Sequence, residues 1–280
     1  MSATTGGIVR SRDGTPIAYE TVGAGDGLLV VGGAWRTSRD YLPFARDLAE
    51  SFAVYVLDRR CRGRSGPQGR AYSIEREIED VAAVQAHTHA TVIFGHSYGG
   101  LIALEAARHS NLFTDIVVYE PAVSIAGSIP LDWMPRYRDL LATGDRRGAF
   151  AAMTRAAGGA PPVLEHAPLW YVKLLLRLFI RQHQWREIDP LLEAALKEHE
   201  QVGALDEDTA ERYRNITARV VLLGGGKSRT RFTTSLFDRL GACIPNTTAE
   251  LIKGLDHIAP DVKAPDVVAE RVRQHLQHDD

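Results

Sequence analysis

Short apolar runs that alternate with helical patterns constrain the fold of this chain more than any other feature. Each run has four to six residues, is rich in valine and isoleucine, and suits a strand buried on both faces of a parallel sheet. The runs cover residues 27–31, 52–57, 91–94, 116–119, 220–223 and 249–252, and helical patterns cover 41–51, 74–87, 98–109, 233–240 and 265–277. Because strand and helix alternate, the sequence predicts an α/β fold with a mostly parallel, doubly wound sheet.

A β-hairpin is predicted before the parallel part of the sheet. Two strand-like runs, 7–11 and 16–21, flank the tetrapeptide Arg12-Asp13-Gly14-Thr15. Asp-Gly is a strong hairpin signal because both residues tolerate positive φ.

Residues 124–214 break the alternation. They carry no strand pattern and only helical stretches, at 132–142, 146–157, 170–183 and 188–200, with Gly-Gly-Ala-Pro-Pro at 158–162. An all-helical insertion between two strands of a parallel sheet predicts a cap over the carboxyl ends of the strands, where open α/β sheets bind ligands. We therefore predict a core domain of residues 1–123 and 215–280, and a helical cap, or lid, of residues 124–214.

Composition and charge exclude several classes of partner. The chain has 280 residues, 24% of them charged, and a formal net charge of −2, so nothing favours nucleic acid or an anionic membrane surface. The most apolar long stretch, 169–180, is interrupted by Lys173 and Arg177 and is too short and too charged to span a bilayer. We predict a small-molecule substrate as partner, no nucleic acid and no membrane, while the oligomeric state stays open.

Cysteine usage and the first residues indicate the cytoplasm. The two cysteines, Cys61 and Cys243, form no Cys-x-x-Cys motif, so neither a disulfide framework nor a thiolate zinc site is indicated. Free thiols suit a reducing compartment. No basic region followed by an apolar one begins the sequence, so we expect no signal peptide. We predict a cytoplasmic protein without metal or cofactor.

An arginine-rich segment follows the run 52–57. It contains Arg59, Arg60, Arg62 and Arg64. We interpret it as a solvated or salt-bridged loop beside Asp58 rather than as a nucleic-acid patch.

The pentapeptide Gly95-His96-Ser97-Tyr98-Gly99 matches G-x-S-x-G. The strand-like run 91–94 ends just before it, and a strongly helical segment, 101–107, follows it. Strand, tight turn and helix in this order form a nucleophile elbow, in which the serine hydroxyl stands exposed. The helix N-terminus adds backbone N–H groups and a positive partial charge. We predict Ser97 as the nucleophile; the alternative is a serine in an ordinary glycine-rich turn.

His257 is the predicted general base, because a serine needs an adjacent base to act as a nucleophile at neutral pH. In folds with such an elbow the chain order is serine, acid, histidine, so the base should lie late in the chain. His257 lies in the segment 254–260, after the last strand-like run, and no other histidine occupies such a loop. His96 is expected to point into the fold. The alternative for His257 is an idle loop histidine.

Two backbone amides are predicted to stabilise an oxyanion, as acyl transfer requires. One belongs to Tyr98, the residue after the nucleophile, and the other to the loop after the third strand, 32–35. Ala34 is the better candidate in that loop and Trp35 the next. The glycines of the loop also turn the chain, and the two roles are compatible because glycine permits close backbone approach.

The elbow, the late histidine and the inserted helices together resemble the α/β-hydrolase fold superfamily over essentially the whole chain. Within it, the chain is similar to a bacterial branch with Glu-Pro after the strand that follows the elbow, here Glu120-Pro121. That branch also carries Gly-Gly-x-Ser, here 225–228 with a one-residue shift, and Gly-Leu-Asp-His, here 254–257. Two departures stand out: Gly32-Gly33 replaces the usual His-Gly, and no Asp or Glu occurs from 224 to 237.

Glu120 is the predicted acid of a catalytic triad, since the usual acid position holds no carboxylate. Asp256 adjoins His257, so its side chain should diverge from the ring, and Asp238 falls inside a helix. Glu120 ends the run 116–119 and could reach the histidine loop from beside the usual position, as in some hydrolases that resemble this fold. The alternative is that Glu120 caps the strand or pairs with an arginine, which leaves a serine–histidine dyad.

The resemblance implies a serine hydrolase that cleaves an ester, thioester or lactone through an acyl-enzyme. A non-hydrolytic cyclase or lyase with His257 as base is an alternative, because fold does not determine function. A non-enzymatic small-ligand receptor is a further alternative, which an intact Ser97 and His257 disfavour. Aromatic residues at helical spacing often belong to a core, but they also suggest a pocket for an apolar ligand. The predicted pocket aromatics are Trp35, Trp133, Trp170, Phe179 and Trp185.

Overall fold

One eight-stranded sheet contains all strands that the computed structural model describes. The structure describes residues 5–156, 164, 167–205, 209–228 and 230–277, without the side chains of 230–232. The strands are β1 (Thr5–Arg10), β2 (Pro16–Val22), β3 (Asp26–Val31), β4 (Phe52–Leu57), β5 (Val92–His96), β6 (Asp115–Tyr119), β7 (Arg219–Gly225) and β8 (Thr247–Ile252). Their order across the sheet is β1-β2-β4-β3-β5-β6-β7-β8. Only the β1–β2 and β2–β4 pairs are antiparallel, so the mostly parallel sheet predicted from the sequence is confirmed.

Helices cover both faces of the sheet. They are α1 (Leu42–Leu48), α2 (Ile74–Thr88), α3 (Tyr98–His109), α4 (Met134–Ala142), α5 (Arg146–Ala156), α6 (Leu169–Phe179), α7 (Gln182–Ile188), α8 (Leu192–Gly203), α9 (Thr230–Cys243) and α10 (Pro265–Gln277). Buried side chains of α1 and α10 pack on one face, and those of α2, α3 and α9 pack on the other. The sheet is therefore doubly wound.

Strand β3 shows why its apolar run predicts a buried strand. Leu29 and Val31 join the core on one face, and Leu28 and Val30 join the core on the other face. All four side chains are fully buried, because successive residues of a strand point to opposite faces and helices cover both.

The predicted hairpin joins β1 to β2. Arg10 pairs with Pro16, and the turn between them contains Gly14 at a φ of 84°. The Asp13 carboxylate accepts the Thr15 amide at 3.0 Å, the local hydrogen bond that favours aspartate in turns.

Helices α4 to α8 lie between β6 and β7, and the described residues of this helical insertion contain no strand. The insertion has an apolar cluster of its own. Its buried members are Trp133, Met134, Tyr137, Leu140, Ala149, Ala152, Met153 and Leu192. The division into a core and a cap at 124 and 214 stays a prediction.

One inserted helix differs from its prediction. The stretch 170–183 forms two helices, because Ile180 adopts an extended conformation, with a φ of −87° and a ψ of 109°, and ends α6. The Gln184 side chain then accepts the Arg181 amide at 2.9 Å and caps the start of α7. No helix within the described ranges is long and apolar enough to cross a membrane. The Gly-Gly-Ala-Pro-Pro segment at 158–162 lies outside those ranges.

Candidate active site

Ser97 occupies a strained turn between β5 and α3. Its φ of 54° and ψ of −118° are rare for a residue with a side chain. The flanking glycines are required by close packing: a Cβ on Gly99 would lie 2.0 Å from the Val31 carbonyl oxygen, and one on Gly95 would lie 2.5 Å from the Gly99 oxygen. The elbow geometry predicted from the sequence is therefore present, and the Ser97 side chain is half-buried at the carboxyl end of β5.

Glu120 lies beside Ser97 at the same edge of the sheet. His96 and Tyr119, the last residues of the neighbouring parallel strands β5 and β6, are partners in the register. Ser97 directly follows β5 and Glu120 directly follows β6, so the two residues lie side by side. The Ser97 amide donates to the Tyr119 carbonyl at 3.0 Å. Glu120 has a φ of 43°, which is unfavourable for glutamate and more so before Pro121.

The Glu120 carboxylate meets the ring of His257. Glu120 Oε2 lies 2.7 Å from His257 Nδ1, and Glu120 Oε1 accepts the Gly225 amide at 2.8 Å. Burial favours the neutral carboxyl, but the hydrogen bond to His257, with those from the Ser228 side chain and the Gly225 amide, outweighs burial and lowers the pKa of Glu120 below its ordinary value. Glu120 is therefore ionised, and its carboxylate accepts a hydrogen bond from the Nδ1–H group of His257.

The loop after β7, where the resemblance leads one to expect the acid, holds no carboxylate and binds Glu120 instead. A Cβ on Gly225 would lie 2.5 Å from the Leu255 carbonyl oxygen, so this position has no room for a side chain. The Lys227 amide donates to the same oxygen at 2.8 Å. The two loops thus pack backbone against backbone, and the Gly225 amide and the Ser228 side chain, both at or just after the end of β7, bind the Glu120 carboxylate.

Two buried side chains hold the backbone around His257. Tyr119 donates its hydroxyl to the Asp256 carbonyl at 2.9 Å, and the ring of His96 contacts the His257 carbonyl oxygen through Nε2 at 2.8 Å. The Asp256 carboxylate forms an ion pair with Lys263 and accepts the Ile258 amide at 3.3 Å. The described geometry therefore brings together Glu120 and His257, not Asp256 and His257.

His96 also joins the His257 loop, residues 254–260, to the loop 32–35 after β3, called the oxyanion loop for its predicted role, and sequence reasoning missed this. A carbonyl can only accept, so Nε2 of His96 carries the proton and Nδ1 accepts the Tyr41 hydroxyl at 2.7 Å. The Tyr41 oxygen in turn accepts the Gly33 amide at 3.0 Å. Burial, then the nearby His257 and Arg36, lower the pKa of His96 well below its ordinary value, so the ring is neutral. Nothing in the sequence pattern singles out Tyr41.

The two amides predicted to form the oxyanion hole are not engaged by any acceptor in the described part of the chain. Within the described residues, neither the Ala34 amide nor the Tyr98 amide donates a hydrogen bond, whereas the Gly33 amide is engaged by Tyr41. Tyr98 is the first residue of α3, where intrahelical bonding leaves N–H groups free. A Cβ on Gly33 would lie 3.2 Å from Ser97 Cβ, so the oxyanion loop packs directly on the elbow.

The arginine-rich loop is salt-bridged and mostly buried rather than solvated. Arg59, Arg60 and Arg62 are almost completely buried, and Arg64 is half exposed. Buried charges are stable only with partners, and the three guanidinium groups contact buried carboxylates on α2 and α8. Asp58 takes no part in these pairs; it accepts the Ser38 amide at 2.9 Å.

Trp35 is the predicted pocket aromatic nearest the oxyanion loop, of which it is part. It has a φ of 66°, and its ring lies edge-on to Tyr137 and Phe150 of the helical insertion, with centroids 6.4 and 5.6 Å apart. Trp185 also packs against Phe150. These contacts place the insertion against the oxyanion loop.

The remaining predicted aromatics lie elsewhere. Trp133 is buried in the apolar cluster of the insertion. Trp170 and Phe179, on α6, are 67% and 77% exposed and face solvent. Of the five aromatics, only Trp35 and Trp185 form ring contacts with Phe150 among the described residues, and the role of all five in a pocket stays a prediction.

The part of the chain that the structure describes contains no group of three His, Cys, Asp or Glu side chains that could hold a metal ion. The absence of a metal and a cofactor stays a prediction.

Comparison with known proteins identifies the family. The sequence profile of the alpha/beta hydrolase family matches residues 28–271. An alpha/beta hydrolase from Sphaerobacter thermophilus DSM 20745 is 30% identical, with a TM-score of 0.81 over 97% of this chain and 100% of that chain. The protein therefore belongs to the alpha/beta hydrolase family, and this membership supports a hydrolase.

More distant structures share the fold. Carboxylesterase CesB (YbfK) from Bacillus subtilis is 19% identical, with a TM-score of 0.70 over 98% of this chain and 92% of its own. The esterase RhEst1 from Rhodococcus sp. ECU1013 is 21% identical, with a TM-score of 0.67 over 99% of each chain. At these identities the likeness concerns the fold alone.

Proposed function

We propose that the protein is a serine hydrolase that cleaves an ester-like bond of an apolar small molecule, an ester, thioester or lactone, through an acyl-enzyme. The observation that carries the proposal is the 2.7 Å contact between Glu120 Oε2 and His257 Nδ1, at the sheet edge where Ser97 occupies a nucleophile elbow. Three groups from three different loops meet the requirements of a nucleophile, a base and an orienting acid.

The tautomer of His257 follows from Glu120. The carboxylate accepts a hydrogen bond from the Nδ1–H group, so Nε2 of the neutral ring is unprotonated and can act as base. His257 Nε2 takes the Ser97 hydroxyl proton as Oγ attacks the substrate carbonyl, and it returns that proton to the leaving alcohol or thiol. Water then hydrolyses the acyl-enzyme with the same base. The His257 side chain is 49% exposed, which leaves it accessible to substrate.

The amides of Ala34 and Tyr98 stabilise the negative charge on the tetrahedral intermediate. Both are free of other acceptors among the described residues, and Tyr98 stands at the positive end of the α3 dipole. The engaged amide of Gly33 is excluded from this role.

The helical insertion, residues 124–214, acts as a cap over the site. Support comes from Trp35, which links the oxyanion loop to Tyr137 and Phe150 of the insertion. The aromatic character of this boundary favours an apolar acyl or alkyl group in the substrate.

A fluorophosphonate probe tests the proposal. We expect covalent labelling, recovered by mass spectrometry on the peptide that contains Ser97, and turnover of p-nitrophenyl butyrate. Ser97→Ala should abolish labelling and most turnover while circular dichroism stays unchanged. Full turnover in Ser97→Ala would contradict the acyl-enzyme, whereas neither labelling nor ester turnover in the wild-type protein would favour a cyclase or lyase that uses His257 as base.

A further inference from the structure

A buried guanidinium lies directly behind the oxyanion loop. Arg59 Nη1 donates to the carbonyl oxygens of Gly33 at 3.2 Å and Gly32 at 3.5 Å. Its Nε and Nη2 atoms donate to the two oxygens of Glu77, on α2, at 3.2 and 2.7 Å. The side chain is 1% exposed, so these contacts are made in a medium of low dielectric, where a charged hydrogen bond is strong.

The bond to Gly33 determines where the Ala34 amide points. The Gly33 carbonyl and the Ala34 N–H are the two ends of one planar trans peptide and point in opposite directions. When Arg59 holds the carbonyl on the buried side, the N–H must face the opposite side. The positive charge also polarises the peptide, which makes its N–H a stronger donor.

The same guanidinium contacts the residue that supplies the second amide. The Arg59 Cζ atom lies 4.7 Å from the centroid of the Tyr98 ring, a cation–π arrangement. The Tyr98 hydroxyl lies 3.0 Å from that of Tyr72, and Tyr72 donates to Glu77 at 3.0 Å. Arg59 therefore contacts both segments that supply an amide to the proposed oxyanion hole, the loop 32–35 and the start of α3.

A carboxylate from the helical insertion completes this cluster. Glu198, on α8, is fully buried; its Oε1 lies 2.9 Å from Arg59 Nη2 and accepts a hydrogen bond from Arg62 Nη2 at 2.6 Å. Burial favours the neutral form, but Arg59 and Arg62 outweigh it and lower the pKa of Glu198 below its ordinary value. Two cations thus face the two carboxylates of Glu77 and Glu198, one from the core and one from the insertion.

We propose that Arg59 is a positioning residue for the oxyanion hole and that Glu198 holds it there, so that docking of the helical insertion sets the geometry of the catalytic amides. This inference rests on the proposed function. It assigns the arginine-rich loop a role in the reaction without contact to substrate.

Arg59→Lys tests the inference, because lysine keeps the charge but loses the fork that reaches Gly33 and Glu77 together. We expect kcat for p-nitrophenyl butyrate to fall by about 10- to 100-fold, while KM changes by less than about threefold. This fall in kcat should not exceed the fall that removal of an oxyanion-hole donor causes. The inhibition constant of an aryl trifluoromethyl ketone, whose adduct with Ser97 places an oxyanion in the hole, should rise by a similar factor. The inhibition constant of the corresponding aryl methyl carbinol, which forms no adduct with Ser97, should stay constant.

Arg60→Lys is the matched control. Arg60 is equally buried and forms a bidentate pair with Asp80, at 2.6 and 2.8 Å, but has no bond to the oxyanion loop among the described residues. The Arg60→Lys substitution should lower the melting temperature, while kcat and the inhibition constant of the trifluoromethyl ketone stay near their wild-type values. Equal kcat in the two variants at equal melting temperature would overturn the inference.

Glu198→Gln keeps the inference testable if Arg59→Lys fails to fold. The amide retains the shape but removes the negative charge from the insertion, so we expect a kcat loss of about three- to tenfold, in the same direction as Arg59→Lys. Wild-type kcat and ketone inhibition in Glu198→Gln would contradict the role of the insertion. Failure of the proposed function would appear differently, as turnover that survives Ser97→Ala.

Discussion

The Nε2–H group of His96 donates a hydrogen bond to the carbonyl oxygen of His257 at 2.8 Å. The residue before the proposed nucleophile therefore holds the backbone of the proposed base. Tyr41 extends this contact to the Gly33 amide, so one buried hydrogen-bond chain joins the elbow, the His257 loop and the oxyanion loop. The relative position of the three loops depends on side chains that touch no substrate.

Tyr41→Phe should break this chain with the smallest change of shape. It leaves the buried Gly33 amide and His96 Nδ1 without a partner, which costs about 1–3 kcal/mol of unfolding free energy. We expect kcat for p-nitrophenyl butyrate to fall as well, because the oxyanion loop and the His257 loop lose a common anchor. Urea denaturation and steady-state kinetics measure the two effects.

Tyr213→Phe provides the control for that variant. The Tyr213 hydroxyl donates to Glu105 at 2.9 Å in a buried environment two turns along α3 from the elbow. The Tyr213→Phe variant should lose about as much free energy of unfolding as Tyr41→Phe, while its kcat stays near the wild-type value. A loss of stability without loss of kcat in Tyr41→Phe would show that the chain is only structural.

Glu120→Gln should reduce turnover by on the order of a hundredfold or more, by analogy with removal of a triad acid. An amide at this position no longer selects the His257 tautomer with a proton on Nδ1, and it cannot stabilise the imidazolium. Asp256→Asn is the comparison, since this carboxylate pairs with Lys263 and should leave turnover near wild type. Turnover within about threefold of wild type in Glu120→Gln would reduce the machinery to a serine–histidine dyad.

Stability should depend on pH through His96. Its pKa is depressed in the folded protein, mainly by burial, whereas in the unfolded chain it titrates near the ordinary value of about 6.5. The unfolded state therefore binds an extra proton at low pH, so stability is fully present above pH 6.5 and falls below it, by up to about 1.4 kcal/mol per pH unit. Denaturation at several pH values between 5 and 8 should show a shallower decline for His96→Gln. Identical slopes would contradict a neutral buried His96.

The helical insertion should exchange its amide hydrogens faster than the sheet. Its apolar cluster is separate from the two cores of the sheet, and α6 exposes Trp170, Leu178 and Phe179 to solvent. Lids are drawn from the less stable parts of a fold. Hydrogen exchange with mass spectrometry should resolve this difference. Protection of residues 124–214 equal to that of the strands, with and without a bound inhibitor, would argue against a mobile lid.

Local patterns predicted most of the secondary structure and the elbow. The apolar runs match the positions of the parallel strands, because a strand buried on both faces must be apolar at every position. The run 249–252 was wrongly predicted to be buried on both faces, since β8 lies at the edge of the sheet and only Ile252 in it is buried. Asp13-Gly14 predicted the hairpin, and the strand–Gly-x-Ser-x-Gly–helix order predicted the strained turn at Ser97. The single helix predicted over 170–183 was wrong, since apolar periodicity does not reveal the extended conformation at Ile180.

Local periodicity and turn chemistry were enough to predict the strands, the elbow and a short set of candidates for acid and base, because each of these features depends on neighbouring residues. The tertiary structure selected the carboxylate that meets His257: Glu120 and His257 are 137 positions apart, and the parallel register of β6, β7 and β8 brings the ends of β6 and β8 to one edge of the sheet. It also decided that Arg59 is buried, since its partners Glu77 and Glu198 come from distant helices. Long-range contacts of this kind leave no local periodicity, because each depends on how separate elements pack.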